Sequence, residues 1–212
     1  MKYIFVGDIH GKVEQVERAL AKDGQKIFVG DFMDSFDRSW QDHAKCLELV
    51  IEAITKNEAK AIYGNHELSY LNYHHRCSGY DPKNLETMMR FRDQITATFK
   101  PFLLLASQLL VTHAGLTNQL WKQNKLDFNT LDARLTSWWD HNNSPMHYIG
   151  SYRGGLNSVG GLFWCDFNHE FEPVKDLTQI FGHTAVRGIQ RIENSFCIDC
   201  LDHEHSFLEM NL

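Results

Sequence analysis

Five short turns in this sequence carry side chains of the kind that hold divalent cations. They are Gly7-Asp8-Ile9-His10-Gly11, Gly30-Asp31-Phe32-Met33-Asp34, Gly64-Asn65-His66-Glu67, Thr112-His113-Ala114-Gly115 and Gly182-His183-Thr184. Together they offer two carboxylates (Asp8, Asp31), one amide (Asn65) and three imidazoles (His10, His113, His183). Mixed nitrogen and oxygen donors suit Mn2+, Fe or Zn2+ better than Ca2+, which prefers oxygen, or a metal selected by thiolate. Six such donors exceed the roughly three protein ligands of a single open catalytic ion. Two ions sharing a carboxylate account for the excess. A pair of cations roughly 3.5–4 Å apart holds both the attacking and the leaving oxygen of an in-line displacement at phosphorus. Taken singly, each turn has a plainer reading, because a Gly-Asp after a strand is usually just a turn and a buried His is usually a satisfied core residue. Five together point to one shared site.

To meet, the turns must be delivered by strands. Each follows a short β-branched and aromatic run: 3–6, 26–29, 60–63, 109–111 and 179–181. These runs read as buried strands. Helical patterns separate the early ones. Residues 12–22 put Val13, Val16, Ala19 and Leu20 on one face, with Asp23-Gly24 closing the helix, and residues 40–55 do the same with Ala44, Leu47, Val50, Ile51 and Ile54. Strand–helix–strand alternation implies a largely parallel central sheet, with ligands gathered at the carboxyl ends of its strands. The tail adds strand-like runs at 188–192, 196–198 and 206–210, close enough together to pair antiparallel. Segments 73–99 and 116–161 fit the alternation less well and read as insertions that roof or flank the site.

Composition sets the remaining bounds. The chain has 212 residues, 43% of them apolar, enough for one domain spanning 1–212 with a sizeable core. Its net charge of −6 argues against a basic footprint for extended nucleic-acid binding. The longest apolar candidate, 102–106, is far short of a membrane span. The first residues run into a Gly-Asp turn and not into a secretory cleavage site. Five cysteines (Cys46, Cys77, Cys165, Cys197, Cys200) form an odd set without framework spacing. A cytoplasmic location follows as the expectation, and nothing marks an oligomer.

The five turns, in this order, resemble the motifs of the phosphoprotein phosphatase (PPP) family of calcineurin-like metallophosphoesterases. That family includes small bacterial and bacteriophage serine/threonine phosphatases and diadenosine tetraphosphatases. The match runs from Asp8 to His183. The resemblance implies an α/β fold in which a β-sandwich is flanked by helices in four αββα layers, with a dimetal site at the strand C-terminal ends. It implies one metal on Asp8, His10 and Asp31, and a second on Asp31, Asn65, His113 and His183, with Asp31 bridging. Mn2+ is the first expectation, with Fe or Zn2+ as alternatives. A metal-activated hydroxide would attack phosphorus, His66 would protonate the leaving oxygen, and Asp34 would hold His66 in its charged form.

The sequence departs from the family where phosphate is recognised. The pattern usually continues the second motif as Asp-Arg-Gly, but here Asp34 precedes Ser35-Phe36. Arg38 is one substitute, against a reading as a solvated residue at a helix start. Arg153, in Tyr152-Arg153-Gly154-Gly155, is a second, against a structural loop arginine. Several small relatives carry an Arg two places after the Trp corresponding to Trp164, where this chain has Asp166. Cys197 and Cys200 lie on a strand-like run whose alternation parts their sulfurs unless the strand ends between them. His74-His75, His141, His147 and His203–His205 read as surface or supporting residues. Trp138-Trp139 reads as core of an insertion, with base stacking as its alternative.

The leading expectation is a serine/threonine-type protein phosphatase acting on phosphorylated protein or peptide. A nucleotide hydrolase of the dinucleoside polyphosphate type is the alternative. Cyclic-nucleotide phosphodiesterases and repair nucleases rank lower, because those relatives usually end in His-x-His and Thr184-Ala185 follows His183 here. A non-catalytic scaffold also ranks lower, since all six ligand positions, His66 and Asp34 are kept.

Overall fold

Alternation along the first strand already calls for two layers. In β1 (Lys2–Val6), Ile4 and Val6 point to one core while Phe5 points to another. The computed structural model of the chain describes residues 1–71, 75–105 and 108–212, so His74, Tyr73 at the head of the first insertion and Ala106 at the end of the apolar run lie outside the described residues.

The first sheet has the order β3 (Ala59–Ala61), β2 (Gln25–Phe28), β1, β9 (Leu208–Asn211). β1, β2 and β3 are parallel, and β9 closes the edge antiparallel to β1. The crossovers are α1 (Val13–Leu20) and α2 (Trp40–Thr55). The second begins at a full capping box: Ser39 Oγ accepts the Asp42 N–H while Asp42 Oδ2 accepts the Ser39 N–H. α3 (Asn65–Leu71) follows β3. α4 (Pro82–Thr98) is capped by Asp81, whose Oδ1 accepts the Lys83 N–H, with Pro82 in its first turn.

The second sheet has the order β4 (Leu103–Leu105), β5 (Leu109–Val111), β6 (Thr178–Phe181), β8 (Ser195–Cys197), β7 (Gln190–Ile192). β5, β6 and β8 are parallel, and the two edges are antiparallel. Between β5 and β6 lie α5 (Asn118–Gln123) and α6 (Leu131–Trp139).

The β-sandwich that the family resemblance implies is what forms, two sheets packed face to face, where alternation alone pointed to one largely parallel central sheet. Phe5, Ile27 and Val29 of the first meet Val111, Ile180 and Ile198 of the second in a core with no solvent exposure. The other face of each strand (Ile4, Val6 and Phe28 in one sheet, Leu110 and Phe181 in the other) packs into the flanking core with residues such as Val16, Leu47 and Val50. Strand–helix alternation holds from β1 to β3, and helices separate β5 from β6, but it carries no information about which sheet a strand joins. The three tail strands form as expected, one joining the first sheet and two the second. Among the described residues no helix is long and apolar enough to cross a membrane.

Candidate active site

Every chemistry-bearing turn emerges from the carboxyl end of a strand. Asp8 and His10 follow β1, Asp31 and Asp34 follow β2, Asn65 and His66 open α3 after β3, His113 follows β5 and His183 follows β6. Four of these residues adopt left-handed backbone: His10 (φ 44°), Asp31 (51°), Asp34 (61°) and His183 (69°). Each such position costs about 1–3 kcal/mol, a strain that concentrates at functional sites. Two glycines let carboxylates lie against backbone. A Cβ on Gly64 would sit 2.0 Å from Asp31 Oδ1, and one on Gly182 would sit 2.0 Å from Asp8 Oδ1.

The two sheets thus bring the six residues into one cluster. Asp31 Oδ2 is its hub, 3.3 Å from His113 Nε2 and 3.8 Å from both His10 Nε2 and His66 Nε2. Asn65 Oδ1 lies 2.7 Å from His113 Nε2 and 3.0 Å from His183 Nδ1. The Asp8 carboxylate accepts the His183 N–H at 3.0 and 3.2 Å. Two triads of ligand atoms, His10–Asp31–His66 and Asp31–His113–His183, lie within 4.8 Å and share Asp31.

The donor chemistry of the cluster calls for positive charge at its centre. His113 Nδ1 lies 2.8 Å from the Val29 carbonyl oxygen, which can only accept, so Nδ1 carries a proton. In the neutral ring Nε2 then turns a lone pair on two oxygens, those of Asn65 and Asp31. His10 Nδ1 is likewise fixed as a donor between the Met33 (2.8 Å) and Asp34 (2.7 Å) carbonyls, leaving Nε2 open. Asn65 Nδ2 is committed to Cys77 Sγ at 3.1 Å, which turns Oδ1 inward. His183 turns Nδ1 into the cluster, 3.2 Å from His113 Nε2, and its Nε2 is buried without a partner among the described residues. Acceptors converging in a buried place cost heavily unless a cation lies between them.

The charges repeat the point. Burial, with the Asp199 and Asp31 carboxylates nearby, pushes Asp8 well above the usual carboxylate range. Burial also opposes ionisation of Asp31, yet the imidazoles of His113, His66 and His10 hold it well below that range. Burial, His113 and Arg153 drive His183 well below its ordinary value. These residues fit divalent cations.

Beside the cluster stands a second unit. His66 Nδ1 lies 2.8 Å from Asp34 Oδ2, and its backbone N–H donates to Asp31 Oδ1 at 3.0 Å. Asp34 is buried and also accepts from the Tyr70 hydroxyl and from Asn84 Nδ2 (3.0 Å). Asn84 Oδ1 in turn meets His43 Nδ1 at 3.1 Å. Burial lowers the affinity of His66 for its proton, but Asp31 and Asp34 overcome this and raise its pKa to about 9.

The calcineurin-like phosphoesterase family model matches residues 1–187. This chain belongs to the calcineurin-like phosphoesterase family. It is a phosphoester hydrolase, and its clustered His and Asp groups suit the dinuclear divalent metal site of that family. A protein serine/threonine phosphatase from Saccharomyces cerevisiae, described as similar to human phosphatase PP5, shares the fold with a TM-score of 0.54 and 16% identity over 97% of this chain and 70% of that one. A metallophosphoesterase from Sphaerobacter thermophilus matches with a TM-score of 0.37 and 17% identity over 54% of this chain and 47% of that one. The TT1561 protein of Thermus thermophilus matches with a TM-score of 0.39 and 12% identity over 99% of this chain and 98% of that one. No curated protein matches the sequence significantly.

The two arginines singled out in the sequence go to different places in this phosphoesterase. Arg38 forms a two-pronged pair with Glu14 (2.8 and 3.3 Å) ahead of α2 and does not line the site cavity. Arg153 does line it. Its Nη2 contacts Asp166 Oδ2 (3.0 Å) and Thr184 Oγ1 (2.7 Å), and its Nε is buried without a partner among the described residues. Trp138 is buried, and Trp139 packs on Tyr63 and Phe163. β8 ends at Cys197, and both Cys197 and Cys200 are buried free thiols.

Several residues of the phosphoesterase site escaped the sequence reading. Glu67 is fully buried and accepts the backbone N–H groups of Asp31 (2.9 Å), Phe32 (2.8 Å), Met33 (3.2 Å) and Gly64 (2.9 Å), clamping the turn after β2 to the turn after β3. Burial and Asp31 raise its pKa to about 7. Its place in the Gly64–Glu67 motif was the available signal. Arg76 and Cys77 line the cavity from the 73–99 insertion that was expected to flank the site, though neither was singled out as a site residue, and Asp199 lines it from the segment after β8.

Proposed function

We propose that this phosphoesterase is a serine/threonine-type protein phosphatase, a phosphomonoesterase with two divalent cations at its centre. Asp8, His10 and Asp31 would hold one ion. Asp31, Asn65, His113 and His183 would hold the other. Manganese is the metal we expect, with iron or zinc as alternatives. Bound there, two such cations neutralise phosphoryl oxygens and make water a better nucleophile.

The chain's own side chains supply the rest. Glu67 fixes the turn that carries Asp31. Arg153 faces the cavity from the His183 side, where a guanidinium would meet phosphoryl oxygens in planar, paired fashion. Asp34, itself held by Tyr70 and Asn84, orients His66 and keeps a proton on it. His66 gives that proton to the departing oxygen.

The observation that carries the reading is this His66–Asp34 pair set against Asp31. An alkoxide leaving from phosphoserine or phosphothreonine needs a proton, so a preset acid is valuable. A phosphate leaving from an anhydride is stable unprotonated and gains little from it. A dinucleoside polyphosphate hydrolase is the second reading, favoured by a small recess beside Asn65 lined by Asn142, Asn143 and Trp164, where a base could lodge. Manganese-loaded protein assayed on a phosphoserine peptide and on diadenosine tetraphosphate tests the choice. We expect the higher kcat/KM on the peptide; a strong preference for the dinucleotide would replace the first reading with the second.

A further inference from the structure

We propose that Arg76 determines specificity by holding an anionic group on the leaving-group side of the substrate, a carboxylate next to the phosphorylated residue of an acidic peptide. This rests on the phosphatase reading above and adds to it the kind of sequence preferred.

The cavity over the cluster has a volume of about 790 Å3, within the range of pockets that enclose whole small ligands and well beyond the needs of one phosphoryl group. It has two walls. One carries Arg153 and Trp164 beside His183. The other is the segment after α3, which packs on the turn after β2: a Cβ at Gly79 would lie 3.6 Å from Asp34 Cβ and 3.9 Å from the Phe36 ring. His66 belongs with this second wall, since Asp34 holds it there. The two walls meet where the His75 ring stands edge-on to Trp164 at 6.4 Å, and a leaving oxygen protonated by His66 would lay the rest of the substrate along the second wall.

Arg76 is the cation of that wall. Its guanidinium lies 4.9 Å above the Tyr80 ring. Tyr80 stacks on Tyr70 at 4.7 Å and 17°. The Tyr70 hydroxyl donates to Asp34, which pairs with His66. One column thus runs from guanidinium to acid. Stacking holds an arginine in place without consuming its N–H donors. The other cations lining the cavity are paired, Lys12 with Asp202 (2.8 Å) and Arg153 with Asp166 (3.0 Å). Among the described residues Arg76 has no carboxylate or hydrogen-bond partner. Asp37, the acid on the same wall, is turned to Ser35 (2.7 Å) and Arg38 (3.9 Å). Phe36 is 91% exposed at the rim and offers the peptide an apolar contact. A positioned guanidinium with open donors is complementary to a carboxylate.

The test uses the manganese-loaded protein, two phosphoserine peptides differing only in a Glu or a Lys beside the phosphoserine, and p-nitrophenyl phosphate. The unmodified protein should prefer the Glu peptide. Arg76→Ala should raise KM for that peptide about tenfold or more, the scale of a lost charge-assisted contact. Arg76→Glu should shift preference to the Lys peptide. Turnover of p-nitrophenyl phosphate should stay within about twofold in both variants, since that substrate bears no second anion. Equal losses on p-nitrophenyl phosphate would mean that Arg76 grips the reacting phosphoryl group and would overturn the proposal. So would the absence of any effect on the Glu peptide. The Glu-against-Lys comparison on unmodified protein stands even if a variant folds poorly, and a lack of preference there also overturns the proposal. If the unmodified protein hydrolyses none of the phosphomonoesters, it is the phosphatase reading that has failed.

Discussion

The floor of the site and its walls are built differently. The floor consists of residues at or just beyond strand ends, with backbone angles, glycine contacts and a buried Glu67 fixing them from several directions. The walls are the segments 35–37, 75–80 and 149–154, and the arginines in or beside them are tied to whatever lies near. Arg38 goes to Glu14, Arg153 to Asp166 and Thr184, and Arg76 to a tyrosine face. A rigid scaffold that presents variable loops commonly divides labour in this way, with reaction type set by the scaffold and selectivity by the loops. The family motifs persist in the floor, and the departures from them fall at Ser35, in a wall, and at Asp166, which pairs with the wall arginine Arg153.

The largest effect should come from the floor. Asp31→Asn removes the shared carboxylate and should abolish phosphoester hydrolysis and manganese retention together, measured by turnover and by metal content after gel filtration. The loss should exceed the roughly 10²–10⁴-fold attributable to a general acid. A fully active Asp31→Asn protein would break the distinction outright.

His66→Asn should lower kcat by about 10²–10⁴-fold on a phosphoserine peptide and much less on p-nitrophenyl phosphate, whose leaving group needs little protonation. A pre-steady-state comparison of the two substrates checks this. Equal losses would place His66 in the floor as a ligand instead of at its edge as an acid.

Glu67→Gln puts an amide NH2 among four backbone donors and should cost about 1–3 kcal/mol of stability, seen as a lower midpoint in urea. Arg38→Ala should leave kcat/KM within about twofold and cost at most about 1 kcal/mol, because its ion pair is partly exposed and lies outside the cavity.

The smallest effect lies far from both regions. Lys2 and Lys22 donate to Glu209 on β9 and depress its pKa from 4.5 to about 2. A carboxyl depressed in the folded state contributes stability in full above its ordinary value and loses it as pH falls toward the depressed one. Glu209→Gln should therefore lower the thermal midpoint slightly at pH 7, by an amount that shrinks as pH falls from 4.5 through about 2, and leave turnover unchanged.

Much of the floor was legible because its signals are local. A β-branched run followed by Gly and a ligand-type side chain announces a strand end, and the span of α2, 40–55, follows from apolar spacing. Less of the walls was legible. Nothing around Arg38 reveals that Glu14, on α1, claims its guanidinium. Nothing around Arg76 reveals that Tyr80 stacks beneath it and leads through Tyr70 to Asp34. Glu67 stood inside a recognised motif, but its role depends on four N–H groups contributed by two separate turns.

By itself the sequence determined which residues end strands, which side chains could hold cations and that the chemistry concerns phosphoesters, because these depend on residue type and near-neighbour order. Tertiary structure alone decided which strand joins which sheet, how Glu67 ties the turn carrying Asp31 to its neighbour, and which arginine is left with donors to spare. Those outcomes depend on long-range packing and on competition among charges for partners, and neither is written in the spacing of residues along the chain.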